Sequence, residues 1–163
     1  MVRHEGRRVR AQPMDAEAFA PFGLVIERGR GEARLINEGM CTRWHDQARP
    51  DAGDGAVSVS VFEAEPRSLP YALDLVERHP EGSQAFLPLH DRPFLVTVLP
   101  DPEARPLAFV TRPHQGVQLH RGIWHGVLTP LHAPGLFAVI DRVGAGPNLE
   151  EHRLDRPWEV VGP

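Results

Sequence analysis

The sequence contains no lysine, so the 18 residues counted as lysine or arginine are all arginine. This absence excludes any mechanism that needs a lysine Schiff base or a lysine general base. Cysteine is almost absent too, and Cys41 alone cannot form an intramolecular disulfide or a cysteine-rich zinc site. We therefore expect a reducing compartment and interpret Cys41 as a small packing residue.

Long apolar runs and a basic charge balance are also missing. No run approaches the roughly 20 apolar residues of a membrane span, and no apolar stretch of the signal-peptide kind follows the basic first residues. The formal net charge of −4 disfavours a nucleic-acid partner. We therefore expect a cytoplasmic protein that binds neither membranes nor nucleic acids.

What is present fits one mainly β domain over residues 1–163, since this length suits a single core without disulfides. Scattered proline and glycine predict many short strands, as in a sandwich or barrel. Helical character is confined to residues 15–22, with Asp15 as the predicted N-cap. Strands are predicted at residues 23–27, 34–37, 57–61, 73–79, 84–89, 94–99 and 136–140.

Three of these strands have informative patterns. Residues 57–61 alternate valine and serine, which puts the valines on one side. Residues 94–99 and 136–140 are apolar at nearly every position. Such strands are covered on both sides, either inside a closed barrel or at a subunit interface.

The first segment with chemical potential runs from Glu77 to Gln84. Glu77 and His79 project to the same side of a strand, because side chains alternate with period two. Residues 80–82 predict a turn, after which Gln84 can return beside them. Three converging polar groups in an apolar region are costly unless they bind one another, a ligand or a metal.

The second segment runs from His120 to His125. Gly122 can turn or bulge the backbone and so bring the two histidines toward one site. The alternative is an outward loop beside a packed Trp124, and the residue pattern leaves both open.

Together these segments resemble a degenerate form of the paired motifs of the cupin superfamily. Glu77, His79, Gln84 and His125 fall on the four ligand positions. The sequence departs from the pattern with Glu77 where cupins usually have histidine, and with His120 where they usually have proline. The resemblance implies a cupin-like antiparallel β-barrel or jelly roll with a short N-terminal helix. Its four polar groups could hold a divalent ion or bind a polar substrate.

A closer resemblance, over nearly the whole chain, is to the ureidoglycolate lyase family of allantoin degradation. It rests on blocks in order at residues 36–39, 43–46, 77–88, 116–125 and 140–142. It implies a homodimer, a ureidoglycolate or glyoxylate ligand inside the barrel, and a divalent ion such as Ni²⁺. The implied reaction eliminates urea from (S)-ureidoglycolate to give glyoxylate.

Histidine suits the proton transfers of this reaction, because its unperturbed pKa is about 6.5. We hypothesise that His120 and His125 flank the reacting carbon, one as base and the other as acid or metal ligand. The other predicted site residues bind metal, orient the substrate or clamp its carboxylate: Glu77, His79, Gln84, Arg43, Asp141 and Arg142. For Asp141 and Arg142, a structural ion pair at a strand end is an equally good interpretation.

Other functions fit the same residues. A metal-dependent cupin isomerase, an iron dioxygenase and a non-catalytic sensor of small acids are the alternatives. The residues also do not separate a lyase, which releases urea, from an amidohydrolase, which releases ammonia and carbon dioxide.

Overall fold

The computed structural model describes residues 6–163, so the first five residues of the predicted domain lie outside it. Nearly all the regular secondary structure of the described chain is β-strand, and the one α-helix has four residues, which confirms the predicted mainly β fold class. The elements are β1 (Arg8–Arg10), β2 (Gln12–Pro13), α1 (Ala16–Phe19), β3 (Gly23–Ile26), β4 (Glu32–Ile36), β5 (Cys41–His45), β6 (Ala56–Glu63), β7 (Tyr71–Arg78), β8 (Gln84–Pro88), β9 (Phe94–Leu99), β10 (Leu107–Val110), β11 (Gly116–Leu119), β12 (Trp124–Gly126), β13 (Thr129–Pro130), β14 (Leu136–Val143) and β15 (Glu150–Val161).

The short helix α1 begins where the sequence predicts. The Asp15 carboxylate accepts hydrogen bonds from the backbone N–H groups of Glu17, at 2.8 Å, and Ala18, at 3.2 Å. These bonds satisfy donors that have no partner within the helix. Phe19 is fully buried and packs edge-to-face on Phe109, which fixes α1 against the barrel.

The larger sheet has eight strands and nearly closes on itself. Its order is β1-β15-β7-β12-β9-β10-β2, and β13 also pairs with β9. β1 pairs with β15 at one edge and β2 with β10 at the other, both in parallel, whereas the remaining pairings are antiparallel. Because β1 and β2 are separated by one residue, this segment links the two edges.

The smaller sheet has five strands in the order β3-β11-β8-β14-β6. It covers a core that includes Phe86, Phe137 and Val139 from its own strands and Val96 and Val98 from β9. Leu95 and Leu99 of β9 belong instead to the second core cluster, enclosed by the larger sheet. All six residues of β9 are therefore buried, as predicted for a strand covered on both sides.

Strand β6 has its apolar side on the outside. Val57, Val59 and Val61 are 51%, 70% and 66% exposed. The alternating Ser58 and Ser60 pair directly with Asp141 and Val139 of β14 and so face the inside with them. From residue 136 to 140, β14 alternates half-buried with buried residues, so in a single chain this part of the strand is fully covered on one side and partly covered on the other.

Strands β4 and β5 form a separate two-stranded hairpin. Its turn has positive φ angles at Asn37, Glu38 and Gly39. The hairpin exposes Leu35 by 73% and Met40 by 87%. Within residues 6–163, no helix is both long enough and apolar enough to cross a bilayer.

Candidate active site

Strands β7 and β12 bring Glu77 and His125 together. His125 lies directly opposite Glu77 on one side and Val98 on the other, so it faces the space between the two sheets. His79 follows the end of β7, and its carbonyl accepts a 2.9 Å hydrogen bond from the backbone N–H of Gly122. One ligand atom from each of Glu77, His79 and His125 lies within 4.8 Å of the other two. We call these three residues the Glu–His–His group.

Backbone carbonyls fix the orientation of both imidazole rings in this group. His79 Nδ1 lies 2.9 Å from the carbonyl oxygen of Asn148, and His125 Nδ1 lies 2.8 Å from that of Gly126. A carbonyl can only accept, so each Nδ1 carries the hydrogen and donates it. The ring's remaining nitrogen, Nε2, is in both cases buried without a hydrogen-bond partner.

Burial shifts the pKa values of two residues of this group, His125 and Glu77. It lowers the pKa of His125 to about 4, an effect that the neighbouring His79 reinforces and the bond to Gly126 opposes. His125 is therefore neutral at pH 7. Burial also raises the pKa of Glu77, as does Glu151 directly opposite on β15, while His79 lowers it.

This arrangement fits a divalent cation. Imidazole nitrogens and carboxylates are common ligands of Ni²⁺, Mn²⁺, Fe²⁺ and Zn²⁺. Metal-binding histidines in proteins usually donate their other ring N–H to a carbonyl or carboxylate, as His79 and His125 do here. The two orphaned Nε2 atoms would gain the partner that they lack.

Gln84 and Asp141 lie on the smaller sheet. Gln84 is 5% exposed and donates from Nε2 to Asp141 Oδ2 at 3.3 Å. Its Oε1 atom is buried and has no partner. Gln84 begins β8 just after the turn that follows His79, as the sequence predicts.

Comparison with known proteins identifies the family. The family model described as "Ureidoglycolate lyase" matches residues 6–161. A ureidoglycolate lyase of Rhodobacter capsulatus is 52% identical over 159 residues, covering 95% of this chain and 99% of that protein. Those of Chelativorans sp. and Mesorhizobium japonicum are 47% and 48% identical, covering 94% of this chain in each case and 96% and 97% of the relatives. The chain belongs to the ureidoglycolate lyase family.

In this ureidoglycolate lyase family member, His120 lies apart from the Glu–His–His group. The predicted turn is present, since Gly122 has a φ of +75° and the N–H of Ile123 donates to the His120 carbonyl. The backbone N–H of His120 bonds to Phe22, and the residue as a whole is exposed. Its role in proton transfer stays a prediction.

The two predicted carboxylate clamps have different surroundings. Arg43 is exposed on β5 of the hairpin, opposite Arg34. Arg142 is buried and donates to Asp54 Oδ1 at 2.8 Å and to the carbonyl of Ala145 at 3.2 Å. Arg142 thus forms a structural ion pair, with Asp54 as its acidic partner.

Sequence reasoning indicated a polar loop at residues 49–55 but did not find the contacts by which this loop supports the site. Asp51 accepts two hydrogen bonds from the Arg121 guanidinium, at 2.8 and 3.0 Å. Its backbone N–H bonds to the Ser83 hydroxyl and its carbonyl to the Ser83 N–H, so it holds the turn between His79 and Gln84. These partners are 32 and 70 positions apart and share no periodic pattern, so nothing in the sequence pairs them.

Proposed function

We propose that this chain is a ureidoglycolate lyase, which converts ureidoglycolate to glyoxylate and urea. The observation that carries the proposal is the Glu–His–His group, with two buried imidazole nitrogens free to bind a ligand. The near-complete match to relatives named ureidoglycolate lyase supports this activity over a cupin isomerase, dioxygenase or sensor.

The reaction needs two proton transfers at one carbon. A base takes the hydroxyl proton, the C–O bond becomes the carbonyl of glyoxylate, and the C–N bond to the ureido group breaks. The bonding electrons leave with nitrogen, and an acid protonates it to give urea. Each well-positioned acid or base contributes a factor of about 10²–10⁴ to the rate.

In our proposal, His125 and His120 share this proton work. His125 is neutral with a free Nε2 lone pair, which suits a base or a metal ligand. His120, on the exposed turn, is the proposed acid, and the reverse assignment would require a protonated His125, which its lowered pKa disfavours. Glu77, whose pKa is raised by burial, is a further candidate for proton transfer.

As the alternative to the proton roles of His125 and Glu77, we propose that Glu77, His79 and His125, with Gln84 as a candidate fourth ligand, hold a divalent ion such as Ni²⁺, because the single free Nε2 lone pair of His125 cannot serve both purposes. The ion would supply positive charge for the substrate's oxygen atoms. Arg43 stays a proposed contact of the substrate carboxylate. The same role for Arg142 would require its guanidinium to give up Asp54.

A cytoplasmic homodimer active in allantoin degradation completes the proposal. The exposed valines of β6 and the exposed hairpin support the dimer, since large exposed apolar patches mark interaction sites. An isolated two-stranded hairpin is also only marginally stable in water. A second copy would cover both.

The test is to incubate the purified protein with ureidoglycolate, with and without a chelator, and to assay glyoxylate, urea and ammonia. We expect glyoxylate and urea in equal amounts, and loss of activity after chelation that added Ni²⁺ restores. Ammonia without urea would instead indicate an amidohydrolase. No turnover with any divalent ion would contradict the proposed activity.

A further inference from the structure

A row of polar side chains crosses the inner face of the smaller sheet. Asp141 of β14 pairs directly with Ser58 of β6, and on its other side Asp141 bonds to Gln84 of β8. Phe86 and Val139, two residues along from Gln84 and Asp141, belong to the core between the sheets. Because side chains alternate along a strand, Gln84, Asp141 and Ser58 face inward with them.

The hydrogen bonds within this row leave mainly acceptors unused. Gln84 donates one N–H to Asp141 Oδ2, while its buried Oε1 has no partner. Asp141 has a second carboxylate oxygen and is only half-buried, so it is open to a ligand. A buried carbonyl without a donor is unfavourable, and a ligand carrying N–H groups would supply the missing hydrogen bond.

A ureido group matches these acceptors. It has three N–H donors and one carbonyl. Two of its N–H groups, one on each side of the carbonyl carbon, point in the same direction. A carboxylate accepts such a parallel pair in bidentate fashion. Gln84 Oε1 can accept the third N–H, a role that replaces its candidate role as a metal ligand, and the Ser58 hydroxyl can donate to the ureido carbonyl.

The charge of Asp141 also orients the ligand. A carboxylate beside Asp141 would be repelled, so the acid end of a ureido acid is directed away from this row. The Glu–His–His group, on the larger sheet, would receive the acid end, because its two imidazole nitrogens lack partners.

We propose that Asp141, Gln84 and Ser58 form the ureido-recognition subsite, with Ser58 as a specificity-determining residue. This inference rests on the proposed function for the identity of the substrate. The new element is the orientation of the substrate between the smaller sheet and the Glu–His–His group. The row accepts the N–H groups of the leaving urea, while the reacting hydroxyl and the carboxylate lie toward the Glu–His–His group.

Two half-substrate probes test this inference by calorimetry on the Ni²⁺-loaded protein. N-carbamoylglycine has the ureido and carboxylate groups without the hydroxyl, and glycolate has the hydroxyl and carboxylate without the ureido group. The unaltered protein should bind N-carbamoylglycine more tightly. Asp141→Asn should weaken that binding by about 10- to 100-fold, and Ser58→Ala by about 2- to 10-fold. Glycolate binding should change less than about twofold in both variants.

Ser60→Ala is the matched control, because Ser60 faces the same interior but lies opposite Val139. It should leave both probes within about twofold of the unaltered protein. Equal weakening of both probes by Asp141→Asn, or no preference of the unaltered protein for N-carbamoylglycine, would overturn the subsite. If Asp141→Asn does not fold, Ser58→Ala is the deciding variant, and unchanged binding of N-carbamoylglycine to it would overturn the subsite. A protein that binds the probes as expected but releases no urea from ureidoglycolate would refute the proposed activity alone.

Discussion

At the scale of single residues, backbone carbonyls fix the orientation of the two imidazole rings of the site, and burial lowers the pKa of His125. The Nδ1 atoms of His79 and His125 are both occupied, which leaves Nε2 as the reactive nitrogen. Neither ring can serve in the other tautomer without giving up its carbonyl partner. The chemistry therefore depends on the peptide groups of Asn148 and Gly126 as well as on the histidines.

Replacing His125 with alanine should lower kcat for urea release by at least about 100-fold, because a base or metal ligand is lost. His120→Ala should cause a loss of similar size if His120 is the acid. The measurement is the rate of urea formation with a thermal melt as the folding check. His132→Ala, at an exposed histidine outside the site, is the control and should keep full activity. Full activity in both site variants would contradict the proposed proton roles.

Removing His125 should also change the pH dependence of stability. The pKa of His125 is about 4 in the folded protein, whereas an unfolded chain has an ordinary histidine near 6.5. Between these values the unfolded state binds more protons than the folded state. The contribution of His125 to the free energy of unfolding is therefore fully present above about pH 6.5 and is lost as the pH falls toward 4. For metal-free protein the loss is about 3 kcal/mol.

The check is urea denaturation of chelator-treated protein at neutral pH and near pH 5. His125→Gln should lose less stability than the unaltered protein over this interval. Parallel losses in the two proteins would contradict the assignment of this pH dependence to His125.

At the scale of elements, the turn between β7 and β8 determines how the site is assembled. It joins Glu77 and His79 on the larger sheet to Gln84 on the smaller one, and the Asp51 loop packs on it. At Gly82, an added Cβ would lie 2.6 Å from the Asp51 carbonyl oxygen and 3.0 Å from Arg142 Cβ. Neither atom is the flexible end of a side chain.

Gly82→Ala should therefore destabilise the protein by about 1–3 kcal/mol and also lower kcat, since the turn must shift. Denaturant unfolding and urea release measure the two effects. The control is Gly6→Ala, because a Cβ at Gly6 meets nothing within 4 Å. Unchanged stability and activity in Gly82→Ala would show that the loop yields easily.

The helix and seven of the strands could be predicted from local patterns, but the longest strand, β15, and several short strands were missed. The side that each strand presents to the core could not be predicted either. The period-two alternation of β6 says that Val57, Val59 and Val61 share a face. It does not say that this face points outward and the serines inward. That choice depends on β14, about 80 positions away, whose Asp141 meets Ser58.

The candidate site was partly predictable for a related reason. Glu77, His79 and Gln84 are brought together by one strand, one turn and the next strand, which local rules describe. His125 could be added because Gly122 marks a turn before it. The hydrogen bonds of Arg142 to Asp54 and of Arg121 to Asp51 join residues that are 88 and 70 positions apart in the chain, and no local rule pairs them.

At the scale of the whole molecule, the outer face of the smaller sheet should mediate dimerisation. Val59→Glu puts a charge in the middle of the exposed valines, and burying two such charges in a symmetric interface is costly. We expect this variant to be monomeric by light scattering. Leu107→Glu, at an exposed leucine on the larger sheet, is the control and should remain dimeric. A monomeric unaltered protein would contradict the proposed dimer.

The linked edges of the larger sheet have a consequence for biosynthesis. β1 hydrogen-bonds to β15, so the first strand of the described chain cannot pair until the last strand has been synthesised. During translation the ribosome would release β7, β9 and β10 before their sheet can be sealed. Until β15 emerges, unpaired strand edges are open to neighbouring chains, and slow synthesis or crowding favours aggregation at that stage.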